Sequence, residues 1–479
     1  MRAISKQSGE FLYQQVIDLI QQMQNAGTLR AGDKLPSLRK LSARLDVSVP
    51  TIKQAYVELE RQGTIAARPQ SGYYLCAEQT NNLRTKRKDW QHAKPTVVKC
   101  QSLIEKIHQA LHLPDVLALG IANPVMANPA DKTLTRTMRR VLSRNSDKAV
   151  SYGPIHGDPD LRRQIAFRYQ DCGVSIMPDE LVVTNGAQEA LSIALQCVAN
   201  AGDVIAVESP TYFGVLELIA GLHMKALEIR TCAETGLCLD DLAQAIEKHP
   251  IKAAIFSTAI NNPLGSMVSE QNRQALVELL ETHDIPLIED DAYGELYFDE
   301  PKPRSATFYS SKNQVLTCSS FSKTAAPGYR LGWLLPGQWE EQAKRIKRGQ
   351  SCSTSMIQQW TLSEFIKSGD YDRHLKVLRK NLSYNAERMR AFIYQHFPEN
   401  TYVSAPHGGS VLWLKCPNDI NTTTLFDQAI ENGFSFTPGS IFSPSGQYQD
   451  YLRISFGVEW CEQVEQALLG LAKLIEDKC

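Results

Sequence analysis

Five short apolar runs dominate the middle of the chain: DVIAVE (203–208), AAIFS (253–257), IPLIE (285–289), QVLTC (314–318) and GWLLP (332–336). They are rich in β-branched and aliphatic residues, and stretches with helical periodicity separate them. Runs of this kind fit buried strands of a parallel sheet, with helices as the crossovers between them. Polar residues follow the runs, and in such sheets ligands bind outside the carboxyl ends of the strands. The body of the chain is therefore expected to be α/β.

At 479 residues the chain is too long for one ordinary core, so more than one folding unit is expected. Charge is split unevenly. Residues 1–95 hold 15 Lys and Arg against 8 Asp and Glu, a balance of +7; the remainder holds 36 against 44, a balance of −8. A basic front on an acidic body suggests that the front meets a polyanion.

The front has its own pattern. Leu12, Val16, Leu19, Ile20 and Met23 recur at helical spacing over 11–25. A second helix is expected after Pro36, with Ser37 as its cap and Leu38, Leu41 and Leu45 on one face. DVS (46–48) is the turn. Ser48 caps a third helix that tolerates Pro50 in its first turn and turns Ile52, Ala55, Tyr56 and Leu59 inward. The runs TIAAR and YYL then flank the turn PQSG. Three helices and a hairpin make a winged helix, whose third helix enters the major groove while the wing touches backbone. Ser37, Arg39, Ser48, Thr51, Lys53, Gln54, Arg68, Ser71 and Gly72 are the candidate DNA-binding residues, with Arg44 adding charge.

Residues 76–100 lack any sustained period and carry the basic cluster Arg84, Lys86, Arg87 and Lys88, which fits a polar linker. The expected division is 1–75 for the winged helix, 76–100 for the linker and 101–479 for the body. The 11 cysteines have no C-x-x-C and no zinc spacing, as in a reduced cytoplasmic protein. No apolar run reaches the roughly 18 residues of a membrane helix, and the first residues lack a signal-peptide core.

In the body, the residues after the runs are chemically specific. LVVTNGAQEAL (181–191) ends a strand and begins a helix at Gly186, Ala187 and Gln188, where free N–H groups and the helix dipole can seat a phosphate. ESPTYFG (208–214) offers Tyr212, STAINNPLG (257–265) offers Asn262, and IEDDAYGELYF (288–298) offers Asp290 and Tyr293. Consecutive acids at a strand end are costly to bury without a partner, and a protonated ring nitrogen is one. A metal is the rival partner, but no histidine lies nearby. SSFSKTAAPGYRLGW (319–333) then supplies Lys323, whose amine condenses with an aldehyde when burial or nearby positive charge keeps it neutral. Ser320, Ser322 and Arg330 supply phosphate donors, Arg330 as a planar fork. An amine, an acid for a pyridine nitrogen and a phosphate cup together imply pyridoxal 5′-phosphate (PLP).

Two resemblances follow. GDKLPSLRKLSARLDVSVPTIKQAYVELERQGTIAARPQSGYYL (32–75) resembles the winged-helix domain of the GntR family of bacterial transcription regulators; the resemblance implies DNA contacts by Arg39 and the start of the third helix. Val49 departs from the family's frequent arginine. YGPIHGDPDLR, TNGAQEAL, SPTYFG, NNPLG, EDDAYGEL, SFSKTAAPGYRLGW and YLRISFG resemble the fold-type I aminotransferases over essentially all of 101–479. That resemblance implies a large mixed, mostly parallel sheet with a small α+β domain. It makes Lys323 the Schiff-base lysine and Asp290 the partner of the pyridine nitrogen. Asn262 and Tyr293 meet the phenolic oxygen and Tyr212 stacks on the ring. Gly186, Ala187, Gln188, Ser320, Ser322 and Arg330 hold the phosphate, Arg453 takes a substrate carboxylate, and Tyr152 reaches the neighbouring subunit's phosphate in a homodimer.

The fusion resembles the MocR subfamily of regulators. It implies a body that senses PLP, or an amine or amino acid, through Lys323 and alters the grip of the front on double-stranded operator DNA. A working aminotransferase with an attached DNA-binding domain is the other reading, and the segment LALGIANPVMANPA (117–130) names no side chain for the ligand.

Overall fold

The computed structural model describes residues 11–25, 29, 33–61, 64–68, 72–75, 94–98, 102–122, 124 and 130–479. The chain divides into two compact units, Met1–Lys86 and Arg87–Cys479.

In the first unit, α1 (Leu12–Asn25), α2 (Leu38–Leu45) and α3 (Val49–Arg61) precede β1 (Ile65–Arg68) and β2 (Gly72–Leu75), which pair antiparallel. The expected inner face of α3 is buried: Ile52, Ala55, Tyr56 and Leu59 pack with Val16, Ile17, Ile20, Leu35 and Leu41. Ile17, absent from the expected stripe on α1, is only 1% exposed. Ser37 caps α2 by accepting the Lys40 N–H at 3.3 Å. The Tyr56 hydroxyl donates to the Pro36 carbonyl at 2.8 Å, and the Leu35 N–H donates to the Tyr73 carbonyl at 2.8 Å. These bonds fasten both the third helix and the hairpin to the start of α2.

The second unit contains a large sheet built from β3 (Thr96–Val97), β5 (Val182–Thr184), β6 (Val204–Ser209), β7 (Lys225–Cys232), β8 (Gly236–Leu237), β9 (Ile251–Phe256), β10 (Leu287–Asp290), β11 (Val315–Ser320) and β12 (Gly332–Leu335). Its order is β3-β7-β6-β9-β10-β11-β12-β5, with β8 paired to β7. The β7, β6, β9, β10 and β11 neighbours are parallel. Strands β5, β6, β11 and β12 are buried throughout, as continuous apolar runs require. The run GWLLP departs from expectation: β12 is antiparallel to both β11 and β5. Only residues 321–331 join β11 to β12, and the Phe321 N–H donates to the Leu331 carbonyl at 3.0 Å. That closed loop contains no crossover helix, so the chain turns back.

Helices Ala187–Val198 and Phe213–Gly221 pack on one face of the sheet; Leu239–Lys248 and Glu270–Thr282 cover the other. A smaller antiparallel sheet has the order β13 (Tyr402–Val403), β14 (Val411–Lys415), β17 (Tyr451–Ser455), β16 (Thr437–Pro438). β4 (Leu117–Ala118) and β15 (Phe434–Ser435) form a short parallel pair beside it. Helices Asp370–His396, Thr422–Glu431 and Glu462–Glu476 complete its core. Among the described residues, no helix is long and apolar enough to cross a membrane.

Candidate functional site

The ends of β5, β6, β9, β10 and β11 bring Gly186, Tyr212, Asn262, Asp290 and Lys323 to one edge of the large sheet. Lys323 follows β11 in the loop to β12. Its amine lies 5.7 Å from the centre of the Tyr293 ring. Burial, followed by the charge of Arg453, pushes the amine down to about 8. Asp290 ends β10, where its carboxylate accepts the Ala292 N–H at 3.1 Å and burial pushes it up to about 6. Near pH 7 Asp290 is thus largely an anion, and about a tenth of Lys323 is neutral, far more than for an ordinary lysine. Glu208, at the end of β6, is pushed up to about 8 by burial and, less strongly, by Asp290. It holds its proton at pH 7, so Asp290 faces no second negative charge from that side.

The turn after β5 is built for close approach. Gly186 has φ 84° and ψ 174° and caps helix Ala187–Val198. The first N–H groups of that helix have no acceptor within it. A Cβ on Gly186 would stand 2.6 Å from Arg330 Nη2. Arg330 donates to Ser322 Oγ at 3.3 Å and to the Asn185 carbonyl at 3.4 Å. Ser320 Oγ accepts the Ser322 N–H at 3.3 Å. The Gln188 side chain donates to the Gly214 carbonyl at 2.8 Å, which ties the turn to the segment carrying Tyr212. Tyr212 precedes helix Phe213–Gly221, its ring 4.9 Å from that of Phe213.

Arg453, on β17, comes from the smaller sheet. It is 3% exposed. Nη1 donates to Asn262 Oδ1 at 3.0 Å; Nη2 donates to the Gly120 carbonyl at 2.7 Å and to Thr437 Oγ1 at 3.2 Å. Its Nε is buried without a hydrogen-bond partner among the described residues. Burial pulls the guanidinium down to about 10. Asn262 and Tyr293 both carry protein bonds: Asn262 accepts from Arg453, and the Tyr293 hydroxyl donates to the Ala122 carbonyl at 2.6 Å. Tyr152 stands outside this cluster, 91% exposed.

The acidic run at the end of β10 is satisfied differently from expectation. Glu289 is fully buried and accepts from the Thr258, Ser305 and Thr317 hydroxyls and the Ala306 N–H. Its partners are three protein hydroxyls and one backbone N–H, and within the run it is Asp290 that feels the charge of Lys323. Sequence reading also missed a polar cluster beneath the turn at Gly186, formed by Glu189, Lys347, Ser351 and Thr354. Glu189 had a signal: an acid three residues after the helix-capping position. Lys347 had none, because it lies among several basic residues of Glu340–Gln350.

In the first unit, Ser37, Arg39, Ser48, Lys53 and Gln54 are exposed and Thr51 is half-buried. Ser48 Oγ accepts the Thr51 N–H at 3.4 Å and lies 2.8 Å from Thr51 Oγ1, so it caps α3. Gly72 opens β2 with φ 102°. Ser71, the Arg68 side chain and the cluster Arg84, Lys86, Arg87 and Lys88 lie outside the described residues, as does most of 76–100.

Comparison with known proteins gives these two units a family. The family of class I and II aminotransferases matches residues 114–468, and the GntR family of bacterial regulatory proteins matches 12–75. HTH-type transcriptional regulator YjiR of Escherichia coli (strain K12) is 32% identical over 97% of this chain and 98% of its own length. YdcR of the same organism is 34% identical over 97% and 99%. The chain belongs to the MocR-type GntR regulators. This MocR-type chain is also 26% identical to regulator NorG of Staphylococcus aureus (strain USA300), over 91% of the chain and 98% of the relative. Solved aminotransferases share the fold of the body. The kynurenine aminotransferase of Pyrococcus horikoshii aligns with a TM-score of 0.72 at 23% identity, covering 79% of this chain and 95% of that one. An archaeal alanine:glyoxylate aminotransferase aligns at 0.74 and 22%, covering 80% and 97%.

Proposed function

We propose that this MocR-type regulator binds PLP in its body, takes an amine or amino acid, or PLP itself, as its signal, and changes its grip on operator DNA in response. One observation carries the reading: a lysine amine pushed down to about 8 and a carboxylate pushed up to about 6 share a strand-end site with a buried arginine whose Nε has no hydrogen-bond partner among the described residues. The donor set fits the cofactor. Arg330, Ser322 and the turn at Gly186 suit its phosphate, and Asp290 suits a protonated ring nitrogen. When bound, PLP supplies an aldehyde that condenses with amines and a ring that accepts electrons.

The chain's own residues do the rest. Lys323 would offer an amine that loses its proton more readily than an ordinary lysine, Asp290 would hold a proton on the ring nitrogen, and Arg453 would orient a ligand carboxylate by a charge-assisted bond. A homodimer in which Tyr152 reaches the neighbouring site belongs to this reading, and the exposure of Tyr152 is compatible with it. The winged helix, residues 1–75, reads DNA through α3. For the signal to pass, the ligand must bind two states of the protein with different affinities, since equal affinity shifts nothing.

The test is the absorption spectrum of cofactor-free protein as PLP and then a panel of amino acids and amines is added, with operator affinity measured at each step. A visible band lost in Lys323→Ala, and a change of DNA affinity with one ligand, is the expected result. No spectral response to PLP refutes the proposal. Arg453, whose Nε has no hydrogen-bond partner among the described residues, also favours a working aminotransferase. Sustained product from an amino acid and a 2-oxo acid establishes that second reading; a single stalled half-reaction supports sensing.

A further inference from the structure

We infer that the buried pair Glu189–Lys347 is a positioning device that sets affinity for the phosphate of the ligand. The inference rests on the reading of Asn185–Gln188 as the phosphate seat. Glu189 lies in the first turn of helix Ala187–Val198. A carboxylate there competes with an incoming phosphate for the positive end of the helix. Lys347, 0% exposed on helix Glu340–Gln350, meets it: Nζ donates to Glu189 Oε2 at 2.8 Å, to Ser351 Oγ at 2.8 Å and to Thr354 Oγ1 at 3.0 Å. All three donors of the amine are thereby used. Ser351 donates to the other carboxylate oxygen of Glu189.

The pair also holds the turn itself. Glu189 Oε2 accepts the Asn185 N–H at 2.6 Å, while the Asn185 carbonyl accepts from Arg330 at 3.4 Å. Residue 185 is thus fixed from both sides, directly before the residue with φ 84°. Lys347 therefore has two effects on the seat. It cancels a negative charge at the helix start, and it anchors the carboxylate that orients the turn. Burial alone would raise Glu189 and lower Lys347, yet the bonds from Lys347 and Ser351 hold Glu189 below the usual carboxylate range. In the wild type the carboxylate stays ionised; without Lys347 it either stands as an uncompensated charge beside the seat or, once burial protonates it, loses its ionic hold on the Asn185 N–H, and both outcomes weaken the seat.

The experiment uses the full chain and two ligands, PLP and pyridoxal, which lacks the phosphate. Dissociation constants are measured by absorbance for wild type, Lys347→Met, Lys347→Arg and Glu189→Gln. Lys347→Met is expected to weaken PLP about tenfold or more while changing pyridoxal less than about threefold, and Lys347→Arg to recover most of the loss. Glu189→Gln keeps an oxygen for the Asn185 N–H and leaves the cation, so PLP is expected to bind at least as tightly as to wild type. Equal loss of both ligands, or no loss in Lys347→Met, overturns the inference. If Lys347→Met does not fold, Glu189→Gln decides: selective weakening of PLP overturns the charge argument. A wild type that gains no affinity from the phosphate refutes the seat reading first, and this inference with it.

Discussion

Replacing Gly186 by alanine separates the backbone requirement of the turn from its role in binding. The native φ of 84° and ψ of 174° lie in a region that essentially only glycine adopts, at a cost of about 1–3 kcal/mol for other residues. The new Cβ would stand 2.6 Å from Arg330 Nη2 and 3.2 Å from its Cζ. Those atoms are the far end of a flexible, exposed side chain, so the guanidinium moves and the backbone keeps its path. Arg330 then leaves Ser322 Oγ and the Asn185 carbonyl. A charge-assisted bond to a phosphate is worth about 1.5–3 kcal/mol, which converts to roughly ten- to hundredfold in affinity. The variant should therefore unfold at a lower denaturant concentration and bind PLP roughly ten- to hundredfold more weakly, by spectral titration, than wild type. Reduced stability with wild-type PLP affinity would show that the turn does not hold the phosphate. An unchanged unfolding midpoint would refute the strain argument.

The titration of Lys323 gives a pair of opposite shifts. PLP capture should rise with pH through a midpoint near 8, where the amine loses its proton. Asp290 raises that midpoint and Arg453 lowers it, so Asp290→Asn should move it down and Arg453→Met should move it up; shifts of the same sign in stopped-flow pH profiles would refute the electrostatic account. Arg39→Ala should weaken operator binding by about 1–3 kcal/mol if the contact is to a base, or reduce the salt slope if it is to a phosphate, with no change in the PLP spectrum. Ser37→Ala removes the acceptor of the Lys40 N–H and should destabilise the winged helix by about 0.5–2 kcal/mol, read by hydrogen exchange of the α2 amides.

The parts of the fold that depend on local pattern were legible. The stripes of α2 and α3, the cap at Ser37 and the buried runs of β6, β9, β10 and β11 follow from periodicity and polarity alone. The direction of β12 was not, because a run buried on both faces has the same composition in either direction. The gathering of Lys323, Asp290 and Asn262 could be anticipated because each stands at or after the carboxyl end of a strand. The contact of Arg453 with Asn262 and the Gly120 carbonyl could not, since it joins three segments far apart in the chain. Lys347 was hidden for another reason. Its burial depends on which side of helix Glu340–Gln350 faces Glu189, and several basic residues there are equivalent until the helix is packed.

Lys323 and Arg330 share one closed loop between β11 and β12, whereas Arg453 stands on the smaller sheet. Under the proposed function, the amine and the phosphate clamp would therefore share one support, while the carboxylate clamp would be mounted on another. Arg453 is already tied to the large-sheet side through Asn262, so a molecule that engages only the loop would, under the proposed function, leave that bond in place. Under the proposed function, one that carries both an amine and a carboxylate would draw on both supports at once, and would have to share Arg453 with Asn262.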